Sequence, residues 1–154
     1  MAADSLTLPA FAHKLTDRPG ADPLIWDPVR RQHVVCTPEE WVRQHVVHYL
    51  TGHLGYPVSL LSIERGTGTL GQRTDLRAYD PATRLPALLI ECKRPTVKLT
   101  KAVLQQAQRY WQRVPARFIV ITNGIAHACW QVGPSPKMWD RWPTWAEVVE
   151  DSVG

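Results

Sequence analysis

The sequence predicts a single α/β domain, a central mixed β-sheet with a helix covering each side. Three observations lead there. A capped helical stretch begins near residue 38. A leucine-rich run at 86–92 carries apolar residues on both faces, as a buried central strand requires. A second long helical stretch then separates that run from another buried strand, an alternation that fits helices packed on a sheet. With 154 residues, 44% of them hydrophobic, the chain is large enough for one core.

Residues 1–23 read as an N-terminal arm, mixed, proline-containing and without a clear period, and 24–154 as the domain. PLIWDPVRRQHVVC follows as two short extended pieces around the Asp27-Pro28 turn signal. The clearest helix is TPEEWVRQHVVHYLTG. Thr37 suits the N-cap, Pro38 the first helical position, and Glu40, three after the cap, completes a capping box. Val42, Val46, Tyr49 and Leu50 form its apolar stripe, and Gly52 and Gly55 mark its end.

VSLLSIERG reads as a strand leading into the loop GTGTLG, which lacks the GK[ST] ending of a phosphate-binding P-loop. QRTDLRAYD alternates as a strand, with Leu76 and Ala78 facing one way and Arg73, Asp75, Arg77 and Tyr79 the other. DPATR turns the chain, and LPALLIECK returns beside it, antiparallel. Residues 97–113 read as a helix, ARFIVITNG as a buried strand, and IAHACWQV as its hairpin partner. The last stretch holds three of the seven tryptophans, and Thr144 with Glu147 repeats the capping-box spacing, predicting a short helix. These tryptophans are expected to close over the core, with a partner-binding surface as the alternative.

Composition narrows the function. No basic start followed by an apolar run marks a signal peptide, and no stretch reaches the roughly 20 apolar residues of a membrane helix, so a cytoplasmic chain is expected. Cys36, Cys92 and Cys129 are widely spaced and form no CxxC pair, which argues against a zinc ribbon or a disulfide framework. His45, His48 and His53 have no matched cysteines or acids beside them, and no GxSxG elbow suggests a serine hydrolase. Net charge is +4, unevenly spread: residues 73–117 hold ten Lys or Arg against three acids. A basic middle section suits an anionic partner, nucleic acid foremost.

Within that section, PALLIECKRP places Leu89, Glu91 and Lys93 on one face of a strand, with Leu88, Ile90 and Cys92 on the other. Asp75 is on the polar side of the preceding strand. Adjacent strands lie about 4.8 Å apart, so in the right register Asp75, Glu91 and Lys93 converge. Two carboxylates together favour a cation between them, and an oxygen donor set selects a hard divalent ion, Mg²⁺ first. A plain Glu91–Lys93 salt bridge, or pairing of Asp75 with Arg73 or Arg77, is the simpler alternative.

The ordered set D…ECK resembles the catalytic core of the PD-(D/E)xK nucleases. More narrowly, TPEEWVRQ…RTD…LLIECKRP…QQAQRY…VITNG is similar to the N-terminal domain of type I restriction enzyme motor subunits, especially to short stand-alone members. The resemblance implies a restriction-endonuclease-like fold and Mg²⁺-dependent hydrolysis of DNA, with Mn²⁺ able to substitute. It implies Asp75 and Glu91 as metal ligands, joined by the Cys92 backbone carbonyl and by Glu40 from the first helix, with Lys93 as the catalytic lysine. Gln106 and Tyr110 match a QxxxY motif, which implies Gln106 as a further catalytic residue and Tyr110 as a nucleic-acid contact, with ordinary helix packing as the alternative. A capping box accounts for Glu40 without any function, and Glu39 could take the site role instead. Arg43 is expected to support the site or meet a phosphate, and Arg94, Lys98, Lys101 and Arg109 to hold the DNA backbone. The superfamily's Pro-Asp is Thr-Asp here. The chain stops before the translocase of the motor subunits, so no ATPase is expected of it. A homodimer partner or other restriction or defence subunits are the expected protein partners. The competing reading is a catalytically inactive module of this fold that binds DNA or such a partner.

Overall fold

The computed structural model describes residues 6–65, 74–113 and 115–150, with the backbone alone at 65, 74, 75, 110 and 150. The glycine-rich loop and Arg73 lie outside the described residues. The elements run β1 (Leu15–Arg18), β2 (Ala21–Asp27), β3 (Gln32–Val35), α1 (Pro38–Gly52), a 3-10 turn (Val58–Leu60), β4 (Leu61–Arg65), β5 (Thr74–Tyr79), β6 (Pro86–Cys92), α2 (Lys101–Trp111), β7 (Phe118–Thr122), β8 (His127–Gln131), β9 (Lys137–Trp139) and α3 (Trp145–Glu150).

Six strands form the main sheet in the order β4-β5-β6-β7-β8-β9. Only the β6–β7 pairing is parallel, across the crossover through α2; every other neighbour pairs antiparallel. The sheet is therefore mixed, flanked by helices, and consistent with a restriction-endonuclease-like fold. Every residue of β6 is buried, which is why its sequence is apolar on both faces. Period-two geometry divides those side chains between two cores. Leu88, Ile90 and Cys92 join Phe118, Val120 and Val42, Val46 and Leu50 of α1. Leu89 joins Ile119, Ile121, Ala107 and Trp111 on the α2 side. Each such aliphatic side chain contributes about 1.5–3 kcal/mol by its burial.

Helix α1 starts as its sequence predicts, with Thr37 Oγ1 accepting from the Glu40 N–H at 3.1 Å and Pro38 in the first turn. The Glu40 side chain, however, does not return to the Thr37 N–H, which donates instead to the Val35 carbonyl. Burial on α1 also extends beyond a single stripe. Trp41, Arg43, Gln44 and His45 are buried together with Val42, Val46 and Leu50. The cause is a second sheet, β1-β2-β3, in which β2 and β3 are the two extended pieces expected from the sequence and β1 is a further strand inside the expected arm. Ile25 and Cys36 of this layer pack on Trp41, with Phe11, Leu15 and Val34 around them, so α1 lies between two sheets.

The terminal tryptophans close the core. Trp142 is buried in the α1-side cluster, and Trp139 and Trp145 pack against it. Thr144 and Glu147 form a full capping box: the Thr144 N–H donates to Glu147 Oε1 at 3.0 Å, and the Glu147 N–H to Thr144 Oγ1 at 3.3 Å.

Candidate active site

The antiparallel pairing of β5 with β6 sets Asp75 directly opposite Glu91, followed by Leu76 opposite Ile90 and Arg77 opposite Leu89. On the other side of β5, Glu64 is the partner of Asp75. Three acidic positions thus stand in a row across neighbouring strands. Glu91 is 3% exposed, and Lys93 Nζ lies 3.2 Å from its Oε1. The salt bridge weighed as an alternative is therefore formed, on the same face as the Asp75 position. A functional site and an ion pair do not exclude each other here. Glu64 accepts from the Tyr79 hydroxyl at 2.7 Å and pairs with Arg77 at 3.2 Å, which draws its carboxylate along the sheet face.

The segment beyond β6 is held from behind. The Lys93 N–H donates to the Thr122 carbonyl at 2.7 Å, extending the β6–β7 pairing by one residue. Asn123 Oδ1 accepts from the N–H groups of Ile125 and Ala126, and its Nδ2 donates to the Val97 carbonyl at 2.8 Å. The turn after β7 thereby anchors the loop that follows Lys93. Gly124 takes φ +85 there, a conformation costly to other residues, and a Cβ would come 2.9 Å from Leu6.

On the α1 face of the same strand end, Cys92 is buried, and burial pushes its thiol up to about 12, against the pull of the Arg43 charge. Arg43 is itself buried. Its Nη1 donates to Glu40 Oε1 at 2.8 Å, and its Nη2 to Glu39 Oε2 at 3.0 Å. Gln44 Nε2 donates to Glu40 Oε2 at 3.1 Å, and Arg30 Nη2 stands 2.6 Å from the same oxygen. Glu40 is thus the buried centre of a cluster, while Glu39 stands partly exposed at its rim. Arg43, expected to support the site or to meet a phosphate, is turned inward toward carboxylates.

Helix α2 begins at Lys101 and ends at Trp111, inside the predicted span, because Thr100 Oγ1 caps it by accepting from the Val103 N–H at 3.3 Å. Val103, Leu104, Ala107 and Trp111 face the sheet. Gln106 is exposed, and Tyr110 stands one turn later with its side chain outside the description. Arg94, Lys98, Lys101 and Arg109 are all exposed. The α1 histidines serve packing: His45 Nδ1 donates to the Trp41 carbonyl at 2.8 Å, and His48 stacks on Phe11 at 4.1 Å. Among the described residues no group of three or more His, Cys, Asp or Glu side chains is arranged to hold a metal, a description that omits the Asp75 side chain.

A comparison with protein families matches residues 38–142 to the type I restriction enzyme R protein N terminus. This match covers more than half of the chain. The protein belongs to that family. Neither the curated proteins nor the solved structures give a match.

Measured against the R protein N-terminal family, the match begins with α1 and ends at Trp142, so it includes β6, Lys93 and α2 but none of β1-β2-β3. Residues that the sequence reading left unassigned fall on both sides of that boundary. Asn123 and Gln44 lie inside it. Asn123 belongs to the VITNG string, and an Asn-Gly pair after a buried strand is a recognisable turn signal. Gln44 sits four residues after Glu40, the spacing of helix neighbours, which was the available clue. Arg30 lies outside the family match; its Asp27 contact is local, but its Glu40 partner is ten residues away in another element and left no local signal. No described helix is long and apolar enough to cross a membrane.

Proposed function

We propose that this domain is a metal-dependent deoxyribonuclease that hydrolyses phosphodiester bonds, with its site at the end of β6. The reading is supported above all by the register that sets Asp75 opposite Glu91, with the Lys93 ammonium 3.2 Å from the Glu91 carboxylate. Membership of a restriction enzyme subunit family favours DNA and other restriction subunits as partners. The donor set fits a hard divalent ion: the Asp75 and Glu91 carboxylates and the Cys92 carbonyl offer only oxygen, and the buried position of Glu91 favours a charge partner. Mg²⁺ is the expected ion, with Mn²⁺ in its stead; bound there, it would polarise the phosphodiester and offset the charge growing on it.

The chain's own groups then have distinct roles. Lys93, fixed through its N–H to the Thr122 carbonyl and through its ammonium to Glu91, orients the attacking water and donates to the phosphate oxygen on which charge develops. Water attacks phosphorus, one P–O ester bond breaks, and the departing sugar oxygen takes up a proton. Gln106 and Tyr110, one turn apart on α2, supply contacts at the substrate's edge. Arg94, Lys98, Lys101 and Arg109 hold the backbone electrostatically. Glu40 is assigned a place beside the metal only if it exchanges Arg30 or Gln44 for it. Otherwise it fixes Arg43 behind Cys92.

The test pairs Mn²⁺ binding, read by electron paramagnetic resonance, with cleavage of plasmid and single-stranded DNA. Wild-type protein is expected to bind the ion and to cut both or one of these DNAs. Lys93→Ala should retain binding and lose cleavage, and Asp75→Asn should lose both. Cleavage unchanged in Lys93→Ala would overturn the site assignment. Absence of both binding and cleavage in the wild type would leave the inactive DNA- or partner-binding module as the reading.

A further inference from the structure

We propose that the β2–β3 turn, through Arg30 and Arg31, forms a second contact for a nucleic-acid phosphate backbone, on the α1 side of the candidate site. The proposal rests on the nuclease reading above for its choice of ligand, but it concerns residues outside the family match, which begins at residue 38.

The first ground is how Arg30 is held. Asp27 is fully buried; its Oδ1 accepts from the Val29 N–H at 2.9 Å, closing the turn, and its Oδ2 accepts from Arg30 Nε. Arg30 Nη2 lies 2.6 Å from Glu40 Oε2. Nε and Nη2 make up one edge of the planar guanidinium, so two buried carboxylates occupy that edge. The Nη1 end remains, on a side chain 25% exposed. A guanidinium gripped along one edge is already ordered, and binding an anion at its other end costs little further side-chain entropy. The two N–H groups of Nη1 are left to donate to phosphate oxygen.

The second ground is Arg31. It is exposed and takes φ 54, a left-handed conformation in which glycine or asparagine would be less strained. An ion pair between Arg30 and the two carboxylates gives no reason for a second, exposed arginine at such a position. Counter-charge on a ligand does. The third ground is location. Glu40, which holds Arg30, also holds Arg43 on α1, and Val42 and Val46 of that helix share a core cluster with Cys92, the residue between Glu91 and Lys93. The turn is thereby tied to the end of β6 from the α1 side. Arg94 and Lys98 stand exposed just beyond the same strand end, and Lys101 opens α2. A backbone passing over the end of β6 would meet cations on both sides.

The experiment is fluorescence anisotropy of a labelled DNA duplex, in EDTA to separate binding from cleavage, titrated at salt concentrations of roughly 50–200 mM. Each phosphate contact contributes about 0.9 to the slope of log affinity against log salt. Arg31→Gln is expected to lower the slope by about that amount. Arg30→Gln combined with it should lower it further and weaken binding about tenfold at the lowest salt. Arg31→Lys should keep the slope. Arg30→Gln leaves Asp27 and Glu40 with one cation fewer, so its melting curve is recorded alongside; if it does not fold, Arg31→Gln alone decides. Wild-type slopes in Arg31→Gln and in any folded Arg30→Gln variant, beside a lowered slope in Lys98→Gln/Lys101→Gln, would overturn the second contact and leave the nuclease reading standing. No duplex binding by wild type would overturn the contact, while Mn²⁺ binding, measured separately, would decide the fate of the site.

Discussion

Asp75 and Glu91 occupy directly opposed positions on β5 and β6, and Glu91 is almost wholly buried. Like charges set across from each other in an antiparallel pair oppose folding, and burial of a carboxylate adds to that cost. A sequence selected for stability alone has little reason to keep both. Asp75→Asn is therefore expected to stabilise the metal-free protein by about 0.5–1 kcal/mol, a rise of a few degrees in melting temperature. On the proposed metal reading, saturating Mn²⁺ should raise the wild-type transition further and the same change should abolish that rise, because a ligand held only by the folded form stabilises it. Differential scanning calorimetry with and without Mn²⁺ measures both. A fall in stability for Asp75→Asn in the absence of metal would mean that the aspartate is a structural partner and not a strained functional group.

At the scale of single elements, the two capping-box sequences behave differently. Both were legible as Thr-x-x-Glu, yet only Thr144/Glu147 closes in both directions. At α1, Arg43 and Arg30 take the Glu40 carboxylate, and the backbone N–H of Thr37 finds Val35 instead. Glu147 is held down at about 2, from an ordinary 4.5, by the hydrogen bonds of Arg141 first and then by the Thr144 N–H. Since its folded value is the lower one, its contribution is complete above pH 4.5 and disappears as pH falls toward 2. Glu147→Gln should cost about 1 kcal/mol at neutral pH and should flatten that part of the stability–pH curve, measured by urea unfolding between neutrality and acid. An acid limb equal in variant and wild type would show that Arg141 and the cap do not hold this carboxylate. What sequence could reveal follows the same division. Local signals were readable: the Thr37 cap, the two-faced apolar run of β6, the alternation in β5 and the turn at Asn123. β1 and β9 were not, since LTDR and KMW are too short for a period and are defined only by their partners. The β5–β6 register required a hairpin whose length fixes the pairing, and the sequence supplied it through DPATR. The Arg30–Glu40 contact depends on tertiary packing, so no local pattern announced it.

For the molecule as a whole, the position of α1 decides how the parts unfold. The helix meets the main sheet through Val42, Val46 and Leu50, and the small sheet through Trp41. Its buried polar residues bond one another, Arg43 and Gln44 both donating to Glu40, and Arg30 of the small sheet pairs with the same carboxylate. Removing the small sheet would expose Trp41 and leave that cluster short of a cation. The segment before α1 is bound in elsewhere too, since the Thr7 N–H donates to the Gly124 carbonyl at 2.9 Å. Both layers should therefore unfold together. Ile25, 1% exposed in the small sheet, and Ile119, 2% exposed beneath α2, provide the comparison. Truncating either to alanine should cost about 2–5 kcal/mol. If the layers form one cooperative unit, each variant shifts a single urea transition to lower concentration with an unchanged slope, and tryptophan fluorescence coincides with far-ultraviolet circular dichroism. An independent small sheet gives another result: Ile25→Ala would separate an early fluorescence change, from Trp26 and Trp41, from the later loss of helix and main sheet. In that case Arg30 would be carried on a layer able to detach, and Glu40 would become free to exchange it for a metal ion.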